Sequence, residues 1–229
     1  MTNTNSPQDI VNILKTKTES KLKALDNTQK VMGWLNETII NIAKECNSLL
    51  TDSDSRIKLK ATNRTKQDCE LQVADELLVF NMHSNVFEFD RDHNIWKMPY
   101  AKENKLSTYC GVINIYNFLA DSFSLNRFDD LGYLVARVFI NKDMHFFVEG
   151  KRQLGFIYNN FGTDLLTKEN LKKIITTSID YTLDFDLLVP PYETVKMATV
   201  AQINYKISTA KVTTGKRLGY VFQSDDVNG

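Results

Sequence analysis

Histidine, cysteine and proline are scarce in this chain, at three, three and four residues of 229. Cys46, Cys69 and Cys110 are odd in number, far apart and form no Cys-x-x-Cys pair. That excludes a disulfide framework and a zinc ribbon, and it suits a reducing cytoplasm. No apolar run approaches the roughly 18 residues of a membrane span, so no membrane partner is expected. The start, MTNTNSPQD, has no basic stretch followed by an apolar one, so no secretory signal is expected either. Neither sign of charge is in excess: the formal net charge is +0. A chain-wide field toward nucleic acid or anionic lipid is therefore absent. There is no internal repeat and no low-complexity segment.

The common chemical signatures are missing as well. No GxGxxG or GxSxG occurs. Gly150 and Gly155 have Walker spacing, but Phe156-Ile157 stands where Lys-Ser/Thr is required. Asp52-Ser53-Asp54 begins like a calcium loop, with Ile57 at the position that needs glycine. The histidines give no metal set. His83 and His93 lie in successive turns of an expected meander, a strand length or roughly 17 Å apart at ~3.3 Å per residue. His145 falls within a strand, where a hydrogen-bonded imidazole is expected.

What is present is ordinary globular material, 42% hydrophobic and 24% charged, enough for one sizeable domain with or without a helical extension. Residues 132–161 form its centre: three runs of β-branched and aromatic residues around the turns Asn141-Lys142 and 150–153. Further strands are expected at 77–82, 86–90, 95–98 and 109–119, with a polar loop at 99–107. The predicted fold class is α+β: an antiparallel meander of about six or seven strands, a long N-terminal helix or helical hairpin, and a C-terminal helix packing on the sheet.

The expected organisation is a helical segment at 1–50, a basic linker or edge strand at 51–70, the sheet core at 71–162, and an α/β segment with a tail at 163–229. Ser6-Pro7-Gln8-Asp9 carries a cap, a first-turn proline and a first-turn carboxylate. Met32, Leu35, Ile39, Ile42, Cys46 and Leu49 then make an apolar seam at heptad spacing. Thr18, Lys21 and Thr28 interrupt it earlier, and Asp26 marks a candidate fold-back. The seam suits either the chain's own sheet or a coiled coil with another chain. Thr167 opens the second helix, with Leu171, Ile174, Ile175 and Ile179 as its apolar stripe and Leu183 at its end.

Three functional readings follow. The first is a non-catalytic cytoplasmic interaction or assembly protein, a homo-oligomer or a binder of another protein, using Met32, Leu35, Ile39, Ile42 and Leu49 with a sheet face. The two helices are expected on opposite faces of the sheet, with a second subunit as the alternative cover. The second reading is metal-dependent. If Asn141-Lys142 is a two-residue turn, Leu134 faces Glu149 and Gly132 faces Lys151, so Asp130, Glu149 and Lys151 project from one face. An Asp beginning one strand and an acid-x-Lys on the next resembles the PD-(D/E)xK nuclease core. That resemblance implies Mg²⁺ or Mn²⁺ held by the two carboxylates and nucleic acid as substrate; no other cofactor is expected. Arg56, Lys58, Lys60, Arg64 and Lys66 are the candidate phosphate contacts, or else simply the charged face of an edge strand. The third reading is a small-ligand sensor, with a pocket near Tyr109, His145 and Tyr158.

Overall fold

The computed structural model describes residues 6–128, 130–158, 160–184 and 192–201. The chain opens as one continuous helical rod: α1 (Pro7–Ile13), a π-helical turn (Leu14–Thr18) and α2 (Glu19–Leu49). At 1.5 Å per residue the rod is about 60 Å long. Ser6 caps it, its Oγ accepting from the Asp9 N–H at 3.2 Å, with Pro7 in the first turn. The fold-back at Asp26 does not occur. Thr28 gives its hydroxyl proton to the Ala24 carbonyl at 2.7 Å, a bond that keeps the helix. Asn27 reaches out instead of competing for its own backbone, donating to the carbonyls of Asn141 and Lys142 at 2.9 Å each.

The remaining elements are β1 (Lys60–Asn63), β2 (Asp68–Val73), β3 (Glu76–Met82), β4 (Phe87–Glu88), α3 (Pro99–Glu103), β5 (Tyr109–Leu119), α4 (Ala120–Ser124), β6 (Tyr133–Asn141), β7 (Phe146–Gly150), α5 (Leu154–Ile157), α6 (Lys168–Leu183) and α7 (Tyr192–Val195). The seven strands form one antiparallel sheet in the order β1-β2-β3-β5-β6-β7, with β4 beside the start of β5. The α+β class and the meander are as predicted. β2 was not anticipated, although Asp68, Glu70 and Gln72 alternate with Cys69, Leu71 and Val73 as in a half-buried strand; its two-residue turn to β3 needs Ala74 at a left-handed φ of 53°. The stretch 184–191, with Pro190-Pro191, is expected from the sequence to stop the second helix; α6 ends at Leu183 with Asp184 as its cap, and 185–191 and the expected tail at 224–229 lie outside the described residues.

Three predicted strands are corrected. Residues 95–98 fall in a 3-10 turn (Asn94–Lys97), because the His93 imidazole accepts the Ile95 N–H and starts a helical turn. The polar loop that follows is α3 and a second 3-10 turn (Lys105–Thr108), set by Pro99 and by the Asn104 side chain. Residues 86–90 keep only the two paired residues of β4. Residues 156–158 do not return as a strand: α5 folds back so tightly that a Cβ on Gly155 would sit 2.6 Å from the Gly150 carbonyl oxygen.

The β6–β7 register is the consequential correction. Ile140 pairs with Phe146, not Asp143, across a loop in which Met144 adopts φ 62° and the Asn141 N–H donates to the His145 carbonyl at 3.0 Å. The shift is three residues, an odd number, so β7 is turned over relative to the expected pairing. Val138, Ile140, Phe146 and Val148 face the main core, whereas Phe139 and Phe147 face the other side.

Both long helices lie on the same face, correcting the expectation of one on each. Lys168–Glu37 (2.9 Å) and Lys172–Glu45 (3.1 Å) ion pairs link α6 to α2. Met32, Leu35, Ile39 and Ile42 are buried with Leu171, Ile174 and Ile175 against Leu71, Phe80 and Ile113. Leu49, at the end of the predicted seam, is 85% exposed, and Leu183 is exposed too. Toward the N-terminus the buried stripe runs through Val31, Thr28, Ala24 and Ser20 rather than Leu25 and Lys21. The opposite sheet face is covered by the β4–β5 excursion, where Phe89, Ile95, Trp96, Met98 and Tyr100 pack with Val112, Phe139, Phe147 and Phe161.

The helix sits unusually close to the sheet at one point. A Cβ added to Gly111 of β5 would lie 2.1 Å from Thr28 Oγ1. Gly111→Ala is expected to cost about 1–3 kcal/mol through overpacking, measured by denaturant titration. Gly33→Ala on the same helix, where an added Cβ meets nothing within 4 Å, is expected to stabilise by about 0.5–1 kcal/mol through helix propensity.

Candidate functional site

The sheet face turned away from the long helices carries a polar row. Asn114, Arg137 and Glu149 are directly opposed across β5, β6 and β7. Beside it runs an apolar row of Val112, Phe139 and Phe147. The segment after β3 arches over these two rows and adds His83, Phe87, Glu88, Phe89, Asp90 and His93. Row and arch enclose a cleft of about 440 Å³. A larger hollow of about 730 Å³ between α2 and the β1–β2 turn is lined by Gln29, Asn36, Asn63 and Gln67 and has no aromatic wall. An apolar, aromatic wall with a few convergent polar groups marks the former as the ligand-type site.

Hydrogen bonds fix the polar groups of the cleft. His93 Nδ1 accepts the Ile95 N–H at 3.2 Å, so the ring proton of the neutral imidazole sits on Nε2, which faces Glu149 Oε1 at 3.4 Å. The other Glu149 oxygen pairs with Arg137 Nη2. His83 follows the same rule, its Nδ1 accepting the Asn85 N–H at 3.0 Å. Phe89 stacks on the His93 ring at 4.7 Å and meets Phe139 at 4.8 Å, and the Arg137 guanidinium lies 5.4 Å from the Phe139 centroid. Behind this wall, burial raises the Cys110 thiol far above its ordinary pKa. Burial likewise pushes Cys69 up to about 12. Both thiols are inert packing groups rather than nucleophiles.

The expected site residues are distributed as follows. Glu149 lies in the cleft, but the residue opposite it is Arg137, not Leu134. Lys151 follows β7 in the turn, its N–H donating to the Val135 carbonyl at 3.0 Å. Asp130 is held in the β5–β6 connection, where it accepts from Ser122 Oγ at 2.9 Å and Arg127 approaches at 4.0 Å. The structure thus keeps Glu149 and Lys151 at the end of β7 and places Asp130 in a separate set of contacts. Of the basic run, Arg56 is paired with Asp54 at 2.7 Å and Arg64 with Glu70 at 2.6 Å. Lys60 is exposed on the edge strand β1, as is Lys66 beyond it, and Lys58 precedes it half-buried. Tyr109, His145 and Tyr158 each have their own aromatic or cationic neighbours. Tyr109 packs under Lys17 and Lys21, His145 stacks on Tyr100, and Tyr158 meets Phe146.

His83 and His93 are brought to the same cleft, correcting the strand-length separation expected for them. The intervening strand has shrunk to two residues, so the turns no longer lie at opposite sheet ends. Among the described residues no group of His, Cys, Asp and Glu is arranged to hold a metal ion. Arg137 and Asn114 were missed. Their visible signal was a single polar residue inside an otherwise apolar strand, in VINIY and VARVF. No protein-family model, curated protein or solved structure matches this chain.

The Arg137–Glu149 pair is half in solvent, with side-chain exposures of 45% and 30%. A double-mutant cycle with Arg137→Ala and Glu149→Ala is expected to give a coupling of about 0.5–1 kcal/mol in favour of the pair. A coupling of zero in urea titrations would show that the pair contributes nothing to the sheet.

Proposed function

We propose that this protein is a non-catalytic ligand-binding domain, taking a small organic molecule in the cleft between the polar row of β5–β7 and the aromatic arch. The observation that carries the reading is the meeting of an aromatic wall with side-chain groups that keep spare hydrogen-bonding capacity. Asn114, the Asp90 carboxylate and His83 Nε2 line the cleft and make no side-chain hydrogen bond to a described residue. The groups best suited to acid–base work, His93 and Glu149, are instead committed to the Ile95 N–H and to Arg137. Three free cysteines support a cytoplasmic setting. No described helix is long and apolar enough to cross a membrane.

A thermal-shift screen against a library of small polar aromatics and amines tests the reading. A ligand present at about 100 times its Kd stabilises the folded state by about 2.7 kcal/mol. The expected hits raise the melting temperature of the natural chain and lose that effect in Asn114→Ala and His83→Ala. Stabilisation that persists in both variants places the ligand elsewhere and overturns the assignment.

A second reading, self-association, rests on a different observation. Ile10, Val11, Ile13 and Leu14 are all exposed, and α1 buries no residue. These four are symmetric about Asn12. An antiparallel copy of the same helix sets Ile10 against Leu14, Val11 against Ile13, and Asp9 against Lys15, which is the self-complementary pattern of a two-fold interface. The assembly element is then α1 rather than Met32, Leu35, Ile39 and Ile42, which the core consumes. Light scattering at micromolar concentration is expected to give a dimer for the full chain and a monomer for Ile10→Glu/Leu14→Glu. A monomeric full chain ends this reading.

A further inference from the structure

The charges on the cleft walls say what kind of molecule it takes, and this inference rests on the ligand-binding reading above. Three carboxylates, Glu88, Asp90 and Glu149, line the cleft against one guanidinium, Arg137. Arg137 is engaged by Glu149. Glu88 is shared at 3.3 Å with Arg91, which lies outside the lining with its guanidinium over the Trp96 ring. Asp90 makes no ion pair with a described residue. Both histidines accept a backbone N–H at Nδ1.

An anion entering here meets excess negative charge. A cation meets that charge and also the aromatic rings of Phe87, Phe89 and Phe139 in the lining, beside the His93 ring stacked on Phe89 and the Arg137 guanidinium over Phe139. A bare metal ion lacks a ligand set, since no described cluster of His, Cys, Asp and Glu is arranged to hold one. Aromatic walls suit an alkylated head better than a strongly hydrated primary amine, because the alkyl groups surrender little hydration on contact with a ring.

We propose that the cleft binds an organic ammonium cation, with its charged head near Asp90 and Glu88 and its carbon body against the Phe87, Phe89 and Phe139 rings.

The test uses the full chain with three probes: choline, its neutral carbon isostere dimethylbutanol, and benzoate. Amide resonances of Asp90, His93 and Asn114 report occupancy, and calorimetry reports affinity. Choline is expected to move those resonances and to bind at least about tenfold more tightly than dimethylbutanol, with benzoate weaker still; Asp90→Asn is expected to lose about tenfold in choline affinity. The Asp90 side chain is exposed and makes no bond that the fold uses, so the melting temperature of that variant is expected to match the natural chain. If dimethylbutanol or benzoate occupies the cleft as tightly as choline, the cationic class is wrong and the ligand cleft stands. If none of the three probes moves a cleft resonance at millimolar concentration, the ligand-binding reading is wrong with it.

Discussion

The buried amide of Asn141 is the constraint on which the rest of this structure depends. It has no exposure, yet each of its polar atoms is used twice. Its Oδ1 accepts the N–H groups of Asp143 and His145 at 2.9 and 3.0 Å, and its Nδ2 donates to Tyr100 Oη and the Ser107 carbonyl at 3.1 Å each. The first two bonds shape the β6–β7 loop; the last two tie that loop to the β4–β5 excursion. Asn27 of α2 adds a third tie, to the loop carbonyls. The buried Asn141 side chain therefore couples the sheet to its covering segment, and the loop it shapes presents the carbonyls that hold Asn27 of the long helix. Buried polar groups are tolerated only when satisfied, so any other loop geometry would leave donors stranded.

The register follows from that loop, and the candidate site follows from the register. With Ile140 opposite Phe146, Glu149 falls opposite Arg137, which the separate β5–β6 register sets opposite Asn114. With the two-residue turn, Glu149 would have faced Leu134, and the polar row would not exist. The same register puts Phe147 beside Phe139, which lines the cleft. A change of one loop residue would turn the β7 groups, Glu149 and Phe147, to the other side of the sheet, away from Arg137 and Phe139.

The placement of α2 and α6 decides which face is left for function. They share one face, drawn together at the Gly111–Thr28 approach and by the ion pairs of α6 with α2. Among the described residues, the other face is covered by short turns, α3, the two strand residues of β4 and Phe161. Short, irregular covers leave hollows at their edges, and the aromatic-walled cleft lies at such an edge; loops on a rigid sheet are where binding residues concentrate.

What the sequence determined by itself were the elements whose signal is local. The Ser6 cap, the extent of β5, the α6 stripe from Leu171 to Ile179 and the antiparallel meander were legible because capping, alternation and helical periodicity act within a few residues. The seam of Met32, Leu35, Ile39 and Ile42 was legible as apolar, but not whether a sheet or a second chain received it. Only the tertiary structure decided that, along with the role of Thr28. A small polar residue in an apolar seam reads as an interruption until Gly111 is seen packed against it. The cleft was out of reach for the same reason. Asn114, Arg137 and Glu149 are 23 and 12 positions apart, and each alone is a polar residue in a strand. Glu149 joins the row through a four-residue loop shaped by the Asn141 amide and tied by it to Tyr100 and Ser107, 41 and 34 positions away. Local chemistry chose the strands; long-range satisfaction of one buried amide chose how they line up.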